Sequence, residues 1–168
     1  FARWSPVADM QDVPRPETLL YAPRPMHQKT GDAYLLRDHG LYVLRSGSKT
    51  FAPLWIEPNW DLTQRPYDNS ELCVNEDDGS LLIVLKWAGT HLYGGPGIKF
   101  LRYKEGDAMP TLLTPTLPVG WPTFVSGDPI EHAYQLGIQW VRAWGKYLIT
   151  DGHERFWAAK ITGTGIAI

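Results

Sequence analysis

The sequence predicts an all-β protein of antiparallel meandering sheets, arranged as a sandwich or as propeller-like blades, with an extended Pro-rich N-terminal arm. Three observations carry this. Gly and Pro number 16 and 14 among 168 residues, too many breakers for long helices. Short apolar runs recur between Gly-containing turns, as in Gly40-Leu-Tyr-Val-Leu, Gly79-Ser-Leu-Leu-Ile-Val-Leu and Gly145-Lys-Tyr-Leu-Ile. Tyr134, Leu136, Ile138 and Trp140 alternate with polar or small residues, the period of two that marks a strand with one buried face.

In chain order, residues 1–30 form the arm and residues 31–168 the β domain. Pro6, Pro14, Pro16, Pro23 and Pro25 prevent a helix or an interior strand in the arm. Trp4, Leu19, Leu20 and Tyr21 nevertheless give it apolar groups to lay on a surface, its own or a neighbour's. Strands are expected at Ala33 to Leu36, Leu41 to Leu44, Lys49 to Leu54, Glu71 to Val74, Leu81 to Trp87 and Ile98 to Tyr103. The segment Arg45 to Phe51 resembles the Asp-box turn of sialidase-type propellers at Thr50 and Phe51. It departs from that motif at Ser46 and Ser48, where Asp and Gly belong, and no function is carried over.

Beyond Tyr103 the next expected strand starts at Tyr134. Asp128-Pro129-Ile130-Glu131 carries the cap, Pro and acid of a helix start. The hairpin signals at Trp144-Gly145-Lys146 and Asp151-Gly152 favour strands through Tyr147 to Thr150 and Arg155 to Ile161. The apolar tail Ile161 to Ile168 is expected to close a sheet edge or to pair with another subunit. The three glycine-led units suggest a loose repeat, too irregular and too few to close a propeller.

Composition excludes several function classes. With 16 Lys and Arg against 18 Asp and Glu, a clamp on nucleic acid is not expected. The longest apolar run, Leu81 to Leu85, is far short of the ~20 residues of a membrane-spanning helix, so a soluble protein without membrane insertion is expected. The chain opens on Phe1, and no basic segment followed by an apolar one is visible. The single cysteine, Cys73, has no partner for a disulfide and reads as a small buried apolar residue. The five histidines lack ligand spacing, and no metal or cofactor is expected. Asn75-Glu76-Asp77-Asp78-Gly79 has part of a calcium loop but lacks its closing Glu, and reads as a hairpin turn.

The informative excess is aromatic, with 8 Trp and 8 Tyr. Tyr42, Trp87, Phe100, Trp140, Tyr147 and Trp157 fall in expected strands and read as packing. Trp55, Trp60, Tyr67, Tyr93 and Trp121 fall in expected loops, and with His91 they form the candidate binding residues, since exposed aromatic surface calls for a partner. No nucleophile elbow occurs. Glu57, Asp61, Asp68 and Glu71 are candidate carboxylates for glycoside chemistry, with nothing in the sequence that fixes their separation. The function expected first is a non-enzymatic structural or attachment subunit of a larger assembly, of the kind found in virus or phage particles. Its partners would be other copies of itself or neighbouring subunits, reached through the arm and the tail. The alternative is a carbohydrate-binding module or glycan-processing domain that uses Trp55, Trp60 and the adjacent acids.

Overall fold

The computed structural model describes residues 25–37, 40–58, 70–85, 98–119, 121, 136–150 and 155–168. Strands β1 (Ala33–Arg37), β2 (Gly40–Leu44) and β3 (Ala52–Ile56) form one antiparallel sheet. The remaining strands are β4 (Glu71–Val74), β5 (Leu81–Leu85), β6 (Lys99–Tyr103), β7 (Thr111–Thr116), β8 (Gly137–Val141), β9 (Lys146–Thr150), β10 (Phe156–Thr162) and β11 (Gly165–Ala167). They form an eight-stranded sheet in the order β4-β5-β6-β7-β11-β10-β9-β8.

That order describes two antiparallel meanders, β4 to β7 and β8 to β11. Their last strands pair in parallel, Ile166 opposite Pro115, and Ile168 N–H donates to the Thr116 carbonyl at 3.1 Å. Their first strands, β4 and β8, also lie in contact, so the sheet is a nearly closed barrel. The β1–β3 sheet packs on the outside of the first meander. The middle layer is therefore covered on both faces. Leu81, Ile83 and Leu85 of β5 join Tyr34, Leu36, Leu41, Val43 and Trp55 in one core. Leu82 and Val84 join Phe100, Leu113, Tyr147, Ile149 and Ile166 in the other. Alternate side chains of a strand point to opposite faces, so a strand buried on both must be apolar at every position. The run Leu-Leu-Ile-Val-Leu, buried throughout, meets that demand.

The all-β expectation holds, with three differences in detail. The third strand runs over Ala52–Ile56, starting three residues and ending two residues later than expected, with a register shift between Leu41 and Tyr42. Trp55 is thereby a strand residue. Strand β7 was not expected from the sequence, because Pro115 demotes the run Thr111 to Thr116; Pro115 is accommodated where β7 meets β11 in parallel. The apolar tail closes the chain's own barrel as β11, because Ile166 has a core to enter between β7 and β10. The helix start weighed at 128–131 lies outside the described residues.

The loose repeat is real in topology but offset by one strand. Pro25 and Met26 pair with β1, through the Met26–Ala33 bridge and a hydrogen bond from Tyr34 N–H to the Pro25 carbonyl at 2.9 Å, so this part of the expected arm belongs to the β1 hairpin. The turns equivalent to those at Gly79 (φ 73°) and Gly145 (φ 57°) are then reached at Gly31 (φ 75°), not Gly40. Left-handed φ at each closes the first hairpin of its unit.

All three of these turns lie at one end of the molecule, where a polar network ties the layers together. The Glu76 carboxylate accepts from Gln28 N–H at 3.0 and 3.1 Å and lies 3.7 Å from Arg142, whose Nε donates to Asp77 at 3.1 Å. Beside it, Asp32 accepts from Ser46 N–H at 2.9 Å and from Arg45 at 3.0 Å, while Arg45 also reaches Glu105. Burial alone would raise the Asp32 carboxyl, but the Ser46 and Arg45 bonds outweigh it and hold the group below its ordinary 3.8. A depressed carboxylate stabilises the fold fully above its unfolded pKa, and that contribution fades as pH falls through the folded value. Stability of the native chain should exceed that of Asp32→Asn by up to about 1 kcal/mol at neutral pH, and the two should converge in urea titrations as pH falls through the lowered Asp32 value. A gap independent of pH would contradict this role.

Candidate functional site

At the same end, the two halves of the barrel part to leave a cavity of about 140 Å³. Strand alternation puts its main residues there. Arg102 of β6 is on the same face as Phe100, pointing into the barrel above the apolar core. Trp140 of β8 and Tyr147 of β9 are directly opposite each other, their rings edge to face at 4.8 Å. Asn75, Asp78 and Ser80 of the β4–β5 turn complete one wall, and the glycine turns at Gly145 and Gly163 border the mouth.

The hydrogen-bonding of this wall is lopsided. Two of its acceptor atoms are in use: Asp78 Oδ1 accepts from Ser80 N–H at 2.9 Å and from Ser80 Oγ at 2.7 Å, and Asn75 Oδ1 accepts from Asp77 N–H at 2.9 Å. Three buried donors are not: among the described residues, Arg102 Nε, Trp140 Nε1 and the Tyr147 hydroxyl have no hydrogen-bond partner. Ser80 and Asn75 lie beside the Tyr147 hydroxyl, but neither completes a hydrogen bond of good geometry. Tyr147 is only 2% exposed, and burial pushes its phenol far above the usual tyrosine range, so it stays protonated and able to donate.

Of the sequence-predicted binding residues, the two that are described, Trp55 and Trp121, fall elsewhere. Trp55 is 6% exposed and packs between the β1–β3 sheet and the middle layer. Trp121 is 9% exposed and sits inside the barrel, 4.8 Å from the Trp157 ring and 6.2 Å from Phe100. The two are in separate cores, and neither ring forms an aromatic surface for a ligand. Trp60, Tyr67, His91 and Tyr93 lie outside the described residues, as do Asp61 and Asp68. Glu57 is buried and Glu71 is half-buried on β4. The acidic turn spends its carboxylates within the fold, Glu76 and Asp77 between layers and Asp78 on its own turn.

Trp140 and Tyr147, read from sequence as packing residues, are the aromatics that line the cavity. Arg102 escaped notice, although its signal was present: in Lys-Phe-Leu-Arg-Tyr it shares a strand face with the buried Phe100, and a cation on a core face needs a reason to be there.

Cys73, on β4 facing the barrel interior, is buried, and burial pushes its thiol up to about 12. Iodoacetamide should leave it unlabelled in the native protein and label it fully in urea, because the reactive thiolate is suppressed. Labelling of native protein at the rate of a free cysteine would contradict its burial.

Comparison with protein-family models, curated proteins and solved structures finds no match.

Proposed function

We propose that the protein is a non-enzymatic structural or attachment subunit of a larger assembly, such as a virus or phage particle, and that it joins further copies of itself through the N-terminal arm. The observation that supports this is a mismatch of layers. Among the described residues the outer sheet has three strands and the first meander has four, and the outer sheet covers β4, β5 and β6 but not β7. The Tyr103 hydroxyl on β6 donates to the Leu54 carbonyl on β3, which puts the terminal strand of the outer sheet over β6. Leu112 on β7, on the same face as the buried Leu101, is left 49% exposed. Met109 and Leu117, just before and just after β7, are also exposed.

An extended segment laid beside β3 would cover that flank, in the manner of strand addition. Residues 17–22, with Leu19, Leu20 and Tyr21 between prolines, have the apolar composition the flank requires. The chain enters its own domain at Pro25, against β1, on the opposite edge of the outer sheet from β3. A neighbour's arm laid beside β3 would join two copies.

Light scattering on the full chain tests this. The expected result is a concentration-dependent mass at multiples of 19.0 kDa, reduced to monomer by Leu112→Lys and by deletion of residues 1–24. A clean monomer at all concentrations overturns the proposal. Leu112 is half exposed, so the lysine variant retains the fold and isolates the contact.

A further inference from the structure

We propose that the cavity between the two halves of the barrel is a binding site for a carboxylate, held by Arg102, Trp140 and Tyr147. This goes beyond the assembly role, and its residues are distinct from the flank at Leu112.

Leaving a buried donor unpaired costs about 1–3 kcal/mol, and native proteins carry few such groups. Here three belong to one cavity. They come from three strands in both halves of the barrel, so their convergence is a product of the fold. Each is a donor, whereas the neighbouring acceptors Asp78 Oδ1 and Asn75 Oδ1 are already engaged. The group that completes the set must accept several hydrogen bonds at once.

A neutral acceptor would satisfy the indole and phenol but leave a buried guanidinium nitrogen facing an uncharged partner. A carboxylate supplies two oxygens with about four acceptor sites and the charge that Arg102 lacks opposite Nε. The volume, about 140 Å³, is close to that of cavities that hold a single small ring, so the site takes a head group and not a chain. It opens at the barrel mouth, where small-ligand sites of such folds lie.

The Trp140 indole N–H reports occupancy directly. In proton–nitrogen spectra of the full chain, its resonance, assigned by its loss in Trp140→Phe, is followed during addition of acetate, glutamate or glucuronate at constant ionic strength. Acetamide, sodium chloride and inorganic phosphate serve as comparisons. The proposal predicts a saturable shift with carboxylates and none with acetamide or chloride. Glutamate or glucuronate binding more tightly than acetate identifies an amino-acid or a sugar source for the group.

Arg102→Gln should abolish the shift, and Tyr147→Phe should weaken binding about tenfold or more. Because the Tyr147 hydroxyl has no partner in the free protein, Tyr147→Phe should leave unliganded stability unchanged or raised. No shift with any carboxylate means that water fills the cavity and overturns the proposal. A response to phosphate alone, or an equal response to acetamide, overturns the assignment to carboxylate.

Discussion

Leu82→Ala and Ile83→Ala are each expected to destabilise the protein by about 2–5 kcal/mol in urea unfolding, although they are neighbours on one strand. In a two-layer β protein, one of two adjacent strand residues faces solvent, and its truncation changes stability within roughly 0.5 kcal/mol. In this chain the two residues enter different cores, Leu82 the barrel interior and Ile83 the space beneath the β1–β3 sheet. Both are fully buried. Their effects should be nearly additive, since they share no packing partners across the sheet. A small cost for either would mean that one face of the middle layer is open.

Ile166→Asp should have the larger effect and leave little folded protein. Ile166 is buried where β11 bridges β7 and β10, so the substitution places an unpaired carboxylate in the barrel core. Such substitutions cost more than about 4 kcal/mol, a large part of the roughly 5–15 kcal/mol that holds a domain together. Ile166→Val, which keeps the shape and removes one methylene, should cost only about 0.5–1.5 kcal/mol. Near-native stability of the aspartate variant would show that the parallel β7–β11 pairing does not close the barrel.

The strands were legible where the local pattern and the tertiary demand coincide. Glu71–Val74 and the start of Leu81–Leu85 follow directly from apolar runs bounded by Asn and Gly turns. The unbroken run of β5 also carried the sign of burial on both faces, which only the stacked layers explain. Pro115 concealed β7, because a lone proline cannot reveal that its neighbour is a parallel strand arriving from fifty residues later. Gly40 was aligned with Gly79 and Gly145 on shared sequence, yet its place in the fold is set by crowding: a Cβ there would lie 2.9 Å from the Trp55 carbonyl oxygen. The turn glycine of that unit is Gly31, whose signal was hidden by the proline-rich segment that precedes it.

The candidate site was less legible. A loop position suggested exposure for Trp55 and Trp121, but Trp55 falls on the buried face of a shifted strand and Trp121 fills the barrel. Hydrogen-bond balance depends on which groups meet in space, so the unpaired donors of Arg102, Trp140 and Tyr147 have no sequence signature beyond a cation at a core-facing position. The proposed assembly contact is similar. Leu112 is an ordinary strand leucine in sequence, and its exposure follows from the outer sheet having three strands among the described residues.

Native-state hydrogen exchange resolved by residue tests the three-layer arrangement most directly. Amides that open only on global unfolding mark the best-protected layer. The structure predicts that the amides of β5 and β6 exchange last, with the outer strand β3 and the 3-10 turn at Arg142–Trp144 exchanging much earlier. Exchange of Leu81–Leu85 on the timescale of Ala52–Ile56 would contradict a middle sheet buried on both faces.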